Sequence, residues 1–288
     1  MSRTVVILNP AARGEKAKSL WGKIRRLSED AFVRTTSEAG EAKEFAQQAV
    51  EQGYETVVAA GGDGTVNEVV NGIAGSDAAL GLLPVGTMNV FATELGIPAN
   101  NLRKCWEIIE AGHIRKVDLP RANHQAFVQL AGIGFDAQVV QETNLDFRKQ
   151  FGPLSYLVAA TQIASRTPPN LVVEANGRHK HGSFVLVGNG RFYGGPFILF
   201  NDAKIDDGKL DVLIFKNLGY IDIVRYLSGI VFRTHVDLPD VEYFQTRKAV
   251  VRSADDVPVE VDGDVIGSLP VTFRMSPSKL KVLAPAQK

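Results

Sequence analysis

The chain has 288 residues, 45% of them hydrophobic and 22% charged, a globular balance that excludes a disordered protein and suits one large domain or two medium ones. Lysine plus arginine match aspartate plus glutamate, 32 against 32, which argues against a dedicated nucleic-acid binder with its clear positive excess. Cys105 is the only cysteine, so an internal disulfide and cysteine-based zinc sites are excluded and a reducing compartment fits.

The apolar run Val5–Leu8 ends at Asn9-Pro10, too short for a signal peptide, and predicts a buried parallel strand. Ala17, Leu20, Trp21, Ile24 and Leu27 recur at helical spacing, with Lys16, Lys18, Lys23, Arg25 and Arg26 at the other positions. A strand is expected over Ala31–Arg34, a helix over Glu41–Gln52 and a strand over Thr56–Ala60. Gly61-Gly62-Asp63-Gly64 then turns into a helix ending near Gly72, and Leu80–Leu83 forms a strand before Pro84. Helical stretches follow near Thr87–Leu95 and Leu102–Ala111. Strands alternating with helices imply a parallel sheet covered on both faces.

The pattern changes near Asp118, and from Phe127 short apolar strands and glycine turns dominate. Leu171–Ala175, Asn176-Gly177 and Ser183–Val187 predict a hairpin whose second strand begins at Ser183 or nearer Arg178, since Asn-Gly suits the positive φ angles of a tight turn. Further strands are expected over Leu210–Phe215, Ala249–Arg252, Val257–Val261, Val271–Arg274 and Leu280–Leu283, and helices over Phe151–Ser165 and Ile221–Phe232. An α/β first domain over residues 1–120 thus meets a mainly antiparallel second domain over 121–288, with the boundary within Lys116–Phe127. Every apolar run is well short of the ~20 residues a spanning helix needs. The expectation is a cytoplasmic protein without a transmembrane segment, whose membrane contact is peripheral.

The strongest chemical signal is Gly61-Gly62-Asp63-Gly64-Thr65, between a buried strand and a helix. Glycines let backbone amides approach an anion, and the helix N-terminus adds free N–H groups and a positive partial charge. Asp63 adds a carboxylate where bare phosphate would be repelled, implying a metal ion or a proton transfer. The plainer alternative is a glycine-rich turn capped by Asp63. The lysine of the Walker loop and the spacing of the dinucleotide motif are both absent. Leu83-Pro-Val-Gly-Thr-Met-Asn89 supplies a second turn on the same sheet edge, where Thr87 serves phosphate or caps a helix. His179-Lys-His181 reads as an exposed hairpin strand rather than a metal site, and Phe192-Tyr193 either touches a ligand or packs in the core.

Gly61–Gly72 together with Leu83–Asn89 resembles the soluble diacylglycerol kinase and sphingosine kinase-like family of lipid kinases. Asn9-Pro10, Gly132-Ile-Gly-Phe-Asp136, Gly188-Asn-Gly190, Gly194-Gly195, Ala203–Gly208 and Asp262-Gly263 fall in the family's order. The resemblance spans nearly the whole chain. It implies an α/β nucleotide domain and a β-sandwich-like lipid domain with the active site between them, the last strand able to return to the first domain.

By that resemblance Asn9, Thr36, Gly61, Gly62, Asp63, Gly64, Thr65, Val66, Asn67 and Thr87 match nucleotide-binding positions, and Asp63 matches the acid that organises magnesium and phosphate. Lys204, Asp207 and Lys209 match a structural magnesium site. The lysines could serve there only through their carbonyls, with Asp207 supplying the carboxylate and water completing the octahedron. Read alone, the segment is equally an Asp-Asp-Gly turn needing no metal. Asp264 stands where the family carries a glutamate general base, and Val90 where many members have aspartate. Arg13, Pro196 and Asn201 also depart from the pattern.

The resemblance therefore implies an ATP- and Mg2+-dependent kinase acting on a lipid hydroxyl at a membrane surface. Arg13, Lys16 and Lys18 could meet phosphate or anionic lipid, or form a solvated face. Asp264 is expected to be the base, with Asp63 the runner-up. A homodimer is compatible with this reading. The rivals are an NAD kinase, which shares Gly-Gly-Asp-Gly-Thr, and a non-catalytic lipid or nucleotide binder.

Overall fold

The computed structural model describes residues 3–10, 17–142 and 168–286. Arg13, Lys16 and the helix expected over Phe151–Ser165 lie outside the described residues, as does the side chain of Lys18. The chain divides into two compact units, Met1–Leu119 with Pro277–Lys288, and Pro120–Ser276.

The first unit holds a six-stranded sheet ordered β2-β1-β3-β4-β20-β5. Its strands are β1 (Thr4–Leu8), β2 (Phe32–Thr35), β3 (Thr56–Gly61), β4 (Ala79–Pro84), β5 (Ile114–Val117) and β20 (Leu280–Leu283). Neighbours run parallel from β2 to β20, and only β20 and β5 pair antiparallel. The central strands are apolar without alternation, because a covered parallel sheet buries both faces: Val57, Val58, Ala59 and Ala60 are all fully buried.

The helices of this unit are α1 (Ala17–Leu27), α2 (Glu41–Glu51), α3 (Asp63–Ile73), α4 (Val90–Glu94) and α5 (Leu102–Ala111). α3 lies close on α2 because Gly72 has no side chain; a methyl there would stand 2.5 Å from both Ala46 Cβ and the Lys43 carbonyl. Gly81 in β4 likewise admits Ile109 of α5. The helix expected over Thr87–Leu95 is only the five residues of α4. Asn89, in the left-handed conformation at φ 49°, precedes it and keeps Thr87 and Met88 out of the helix.

The second unit contains two further six-stranded sheets, each with antiparallel pairing between described neighbours. One is ordered β10-β9-β16-β19-β6-β7, from β6 (Pro120–Ala122), β7 (Gln125–Ala126), β9 (Leu171–Ala175), β10 (Arg178–Gly182), β16 (Lys248–Arg252) and β19 (Val271–Met275). The other is ordered β15-β14-β11-β8-β17-β18, from β8 (Leu130–Ile133), β11 (Phe184–Gly188), β14 (Leu210–Phe215), β15 (Val241–Thr246), β17 (Pro258–Val261) and β18 (Asp264–Ser268).

Alternate residues of both sheets, among them Leu171, Val173, Val185, Val187, Val212, Val251 and Phe273, form one core between them. The second sheet is buried on its other face as well. There Phe184 stacks on Phe215 with ring centroids 4.2 Å apart, and Ile223 and Tyr226 of α7 (Tyr220–Phe232) cover them. The described part of the unit also holds α6 (Phe135–Glu142), a short 3-10 turn over His235–Asp237, and a short hairpin of β12 (Phe192–Tyr193) and β13 (Phe197–Ile198).

The Asn176-Gly177 hairpin joins β9 to a strand that begins at Arg178, not at Ser183. Ser183–Val187 belongs instead to the other sheet, where β11 pairs with β14 and β8. The polar strand Arg178–Gly182, with its exposed His179 and His181, is the edge of its sheet, in keeping with the exposed hairpin strand expected at His179-Lys-His181.

Candidate functional site

In the first sheet the chain leaves β1 for β2 on one side and for β3 on the other, and a ligand enters an open α/β sheet beyond the strand ends at such a switch point. Asn9 follows β1, Thr36 follows β2, Gly61-Gly62 close β3 and Gly86-Thr87 follow β4, so these residues line one edge of the sheet. Asn9 spans the switch point. Its backbone N–H donates to the Ala60 carbonyl at 3.0 Å and its Nδ2 to Thr65 Oγ1 at 2.9 Å. The buried Thr36 is tied to the same edge by its backbone N–H, which donates to the Leu8 carbonyl at 2.9 Å.

The two glycine turns meet backbone to backbone. Val85 N–H donates to the Gly61 carbonyl at 2.9 Å, and a methyl on Gly86 would stand 2.5 Å from Gly62 Cα. A methyl on Gly61 would stand 2.3 Å from Thr65 Oγ1, so that glycine lets the first turn of α3 fold under the strand end. Asp63 is the first residue of α3 and not its N-cap, which is Gly62 without a side-chain cap; its Oδ1 accepts the Val90 N–H at 2.7 Å, which clamps the first turn to the start of α4.

Thr87 does not cap that helix. It is exposed, and the side chain of Asn89 instead folds back on Gly86, accepting its N–H at 3.0 Å and donating to its carbonyl at 2.8 Å. Val66 and Asn67 are buried within α3, where Asn67 Oδ1 accepts from Asn71 Nδ2 at 2.9 Å. Gly64 lies in the first turn of α3. The structure therefore links Asn9, Gly61, Gly62, Asp63, Thr65 and Gly86 by direct contact, sets Thr36 and Thr87 along the same edge, and buries Val66 and Asn67 behind it.

In the second unit, Asp262 and Gly263 form the two-residue turn between β17 and β18, with φ angles of 49° and 92°. The Asp262 carboxylate accepts three backbone N–H groups, from Val128 at 2.8 Å, Gln129 at 2.9 Å and Leu130 at 3.1 Å. Its lone pairs are engaged in holding the turn to the strand β8. Asp264 is exposed at the start of β18, which leaves it the acid of this triplet oriented toward solvent.

Lys204, Asp207 and Lys209 share one loop before β14. Asp207 Oδ1 accepts the Lys209 N–H at 3.0 Å, and Lys209 Nζ lies 3.8 Å from Asp207 Oδ2. Nearby Asp211 is fully buried. Burial pushes its carboxyl up, Tyr243 and Gln245 donate to its Oδ1 against that trend, and the charges of Asp207 and Asp202 push it up further. Its Oδ2 has no hydrogen-bond partner. Among the described residues no three acidic, histidine or cysteine side chains are arranged as a metal cluster, so a cation here would rely on one carboxylate, carbonyls and water. The negative charge and the unpartnered buried oxygen fit a hard cation.

The family model of the diacylglycerol kinase catalytic domain matches residues 3–122, and that of the YegS C-terminal NAD kinase beta sandwich-like domain matches residues 129–284. The chain is 30% identical to the diacylglycerol kinase of Staphylococcus carnosus (strain TM300), over 98% of this chain and 95% of that protein. The chain belongs to the diacylglycerol kinase family of lipid kinases. The kinase is also 29% identical to the diacylglycerol kinase of Bacillus subtilis (strain 168), over 100% of its own length and 98% of the relative's. In fold it resembles a diacylglycerol kinase structure from Bacillus anthracis strain Sterne, with a TM-score of 0.76 at 22% identity, covering 99% of this chain and 97% of that one.

Two buried polar groups of the kinase do more than its sequence assigned to them: Glu260 was not singled out, and Asp136 was named only within the motif Gly132–Asp136. Glu260 sits inside the apolar run Val257–Val261 yet is 1% exposed, and Asp136, 3% exposed, accepts a hydrogen bond from Tyr193 OH. A glutamate amid valines in a strand buried on both faces was the available signal. Gly188 is needed for packing, since a methyl there would stand 2.2 Å from the Phe200 ring. Cys105 is structural: burial pushes its thiol up to about 11, leaving no thiolate nucleophile at neutral pH. No described helix is long and apolar enough to cross a membrane.

Proposed function

We propose that this kinase transfers the γ-phosphate of ATP to the hydroxyl of a lipid presented at a membrane surface, with magnesium as the metal. The observation that carries the reading is the pair of glycine turns packed Gly62 against Gly86 at the switch point of the sheet and clamped by Asp63. Such a surface offers backbone N–H groups, a helix N-terminus and one carboxylate to a polyphosphate, and no bulky side chain.

Asn9, Thr36, Gly61–Asn67 and Thr87 are assigned to nucleotide binding, and Asp63 to charge balance beside the phosphates. Bound magnesium would neutralise charge on the transferring phosphoryl group. A second magnesium is assigned to Asp207 with the carbonyls of Lys204 and Lys209, as a structural ion. Asp264 takes the proton of the attacking hydroxyl as its oxygen bonds to the γ-phosphorus and the bond to the ADP oxygen breaks. The acceptor classes are diacylglycerol-like, phosphatidylglycerol or sphingoid alcohols, and the cytoplasmic enzyme meets them by peripheral contact.

A second reading, an NAD kinase, is supported by the NAD kinase-like description of the matched C-terminal domain. Transfer from labelled ATP into a lipid panel and into NAD, under the same magnesium, decides between them. Product in the lipid fraction is expected; label in NAD alone would overturn the reading, and no transfer to either would favour a non-catalytic binder.

A further inference from the structure

The Asp262-Gly263 turn is held from two sides, and only one of them is explained by Asp262 itself. Glu260, two residues before the turn, is 1% exposed and directs Oε2 at the Gly263 N–H, which donates to it at 2.7 Å. In the sheet Glu260 lies between Gly132 of β8 and Val265 of β18, with a register irregularity between Val259 and Glu260.

Its other oxygen, Oε1, is buried without a hydrogen-bond donor. It turns instead toward the place a side chain at Gly132 would fill. A methyl built there would stand 2.7 Å from Glu260 Oε1 and 2.2 Å from Asp136 Oδ2, so both carboxyl groups occupy the space that Gly132 leaves open.

Two carboxyl groups buried in one shared space do not both ionise, because like charges repel strongly away from solvent. Tyr193 OH donates to Oδ1 of Asp136, so that carboxyl is held in place from its other side. Burial first, then the charge of Asp136, holds the Glu260 carboxyl well above the ordinary glutamate range, with Asp262 adding to the effect. Neutral Glu260 then has a proton on Oε1 to donate to Asp136 and a carbonyl-like Oε2 to receive Gly263. The groups facing it are Asp136 from α6, Asp262 from the turn, Gly132 from β8 and Val265 from β18, with Tyr193 of β12 behind Asp136.

We propose that Glu260 is a positioning residue: it ties the backbone of the Asp262-Gly263 turn to Asp136 across Gly132 and thereby sets where Asp264 stands for phosphoryl transfer. The inference rests on the kinase reading above for its catalytic meaning, and on the second unit alone for its geometry. Asp264 immediately follows the N–H that Glu260 holds. A shift of about 1 Å in a reacting group lowers turnover by roughly 10²-fold. A loosened turn therefore acts on kcat rather than on nucleotide affinity.

Glu260→Leu removes both polar ends and keeps the bulk. Glu260→Gln keeps an acceptor for Gly263 and an N–H donor for Asp136, but has no proton to lose. In a steady-state assay with ATP and diacylglycerol in mixed micelles, Glu260→Leu is expected to lower kcat at least ten-fold with the KM for ATP unchanged, and Glu260→Gln to recover most of that loss. Wild-type kcat should also fall on the alkaline side as Glu260 ionises, and the glutamine variant should lack that fall. A folded leucine variant with wild-type kcat, a glutamine variant as impaired as leucine, or the same alkaline fall in the glutamine variant would each overturn the proposal.

Failure of the kinase reading is separable by thermal melting against pH without substrate. A carboxyl whose pKa is raised by folding stabilises below its unfolded value and loses that contribution as pH rises through the folded one. The wild type should therefore lose melting temperature relative to Glu260→Gln as pH rises, whether or not the lipid is phosphorylated. Parallel curves would refute the buried pair itself.

Discussion

Replacing Gly86 by alanine tests whether contact between the two glycine turns builds the nucleotide site. The added methyl would lie 2.5 Å from Gly62 Cα and 2.8 Å from Asn89 Oδ1. Carbon atoms rest at ~3.5–4.0 Å, so the turns must part by about 1 Å. The nearest atom belongs to backbone at a strand end, which cannot swing away as a flexible side chain can. Overpacking of this kind costs about 1–3 kcal/mol, or roughly 3–12 °C of melting temperature for a unit of this size. Gly62→Ala is the internal comparison, since its methyl would stand 3.3 Å from Gly86 Cα and needs only a few tenths of an ångström. Gly75→Ala is the control, with open space around it but a φ of 89°, so it should lose stability and no nucleotide affinity. Calorimetric titration of Mg-ATP and a melting curve on each variant should rank the loss of affinity as Gly86→Ala, then Gly62→Ala, then Gly75→Ala. Wild-type affinity and melting for Gly86→Ala would show that the contact does not shape the site.

Asp264→Asn should lower lipid phosphorylation about 10²-fold or more while Mg-ATP affinity measured by calorimetry holds, the usual scale for a general base; retention of most activity would move the role to Asp63. Asp63→Asn keeps an acceptor for the Val90 N–H, so melting should change little while Mg-ATP affinity drops; equal affinity would remove Asp63 from the site. Asp207→Ala should abolish the rise in melting temperature on adding magnesium without nucleotide, and an equal rise in both proteins would place the ion elsewhere.

The first unit was legible because its signals are local. Parallel strands such as Thr56–Gly61 read as continuous apolar runs, and glycine turns mark their ends. A strand that went unseen lacks such a run. Ile114–Val117 is an edge strand carrying Arg115 and Lys116, whereas the edge strand Arg178–Gly182 was expected from His179-Lys-His181 with only its start left open. Edge strands show one side to water and are often charged to resist further pairing, so polarity conceals them. The sheet assignment of Ser183–Val187 was not readable either. Asn176-Gly177 fixes a reversal but not its partner, and only long-range pairing with Leu210–Phe215 and Leu130–Ile133 shows where β11 belongs.

The site divides along the same line. The glycine motifs announced themselves, but the work of each carboxylate depends on partners remote in sequence. Asp63 reaches Val90, a position where the family often places an aspartate, and uses its backbone N–H alone; no side chain at position 90 is required for that clamp. Asp262 reaches back to residues 128–130 and is consumed by three N–H groups, so of the Asp262-Gly263-Asp264 triplet only the shorter replacement for the family's glutamate stands exposed. An aspartate in that role has less reach by one methylene, and its placement therefore depends more heavily on the turn that carries it. Glu260 and Asp262 hold that turn from opposite sides, one through the Gly263 N–H and the other through the β8 backbone. If Asp264 is the base proposed above, a short acid on a doubly anchored turn would offer the same proton acceptor as a longer one on a looser turn, with less freedom to lose when the hydroxyl arrives.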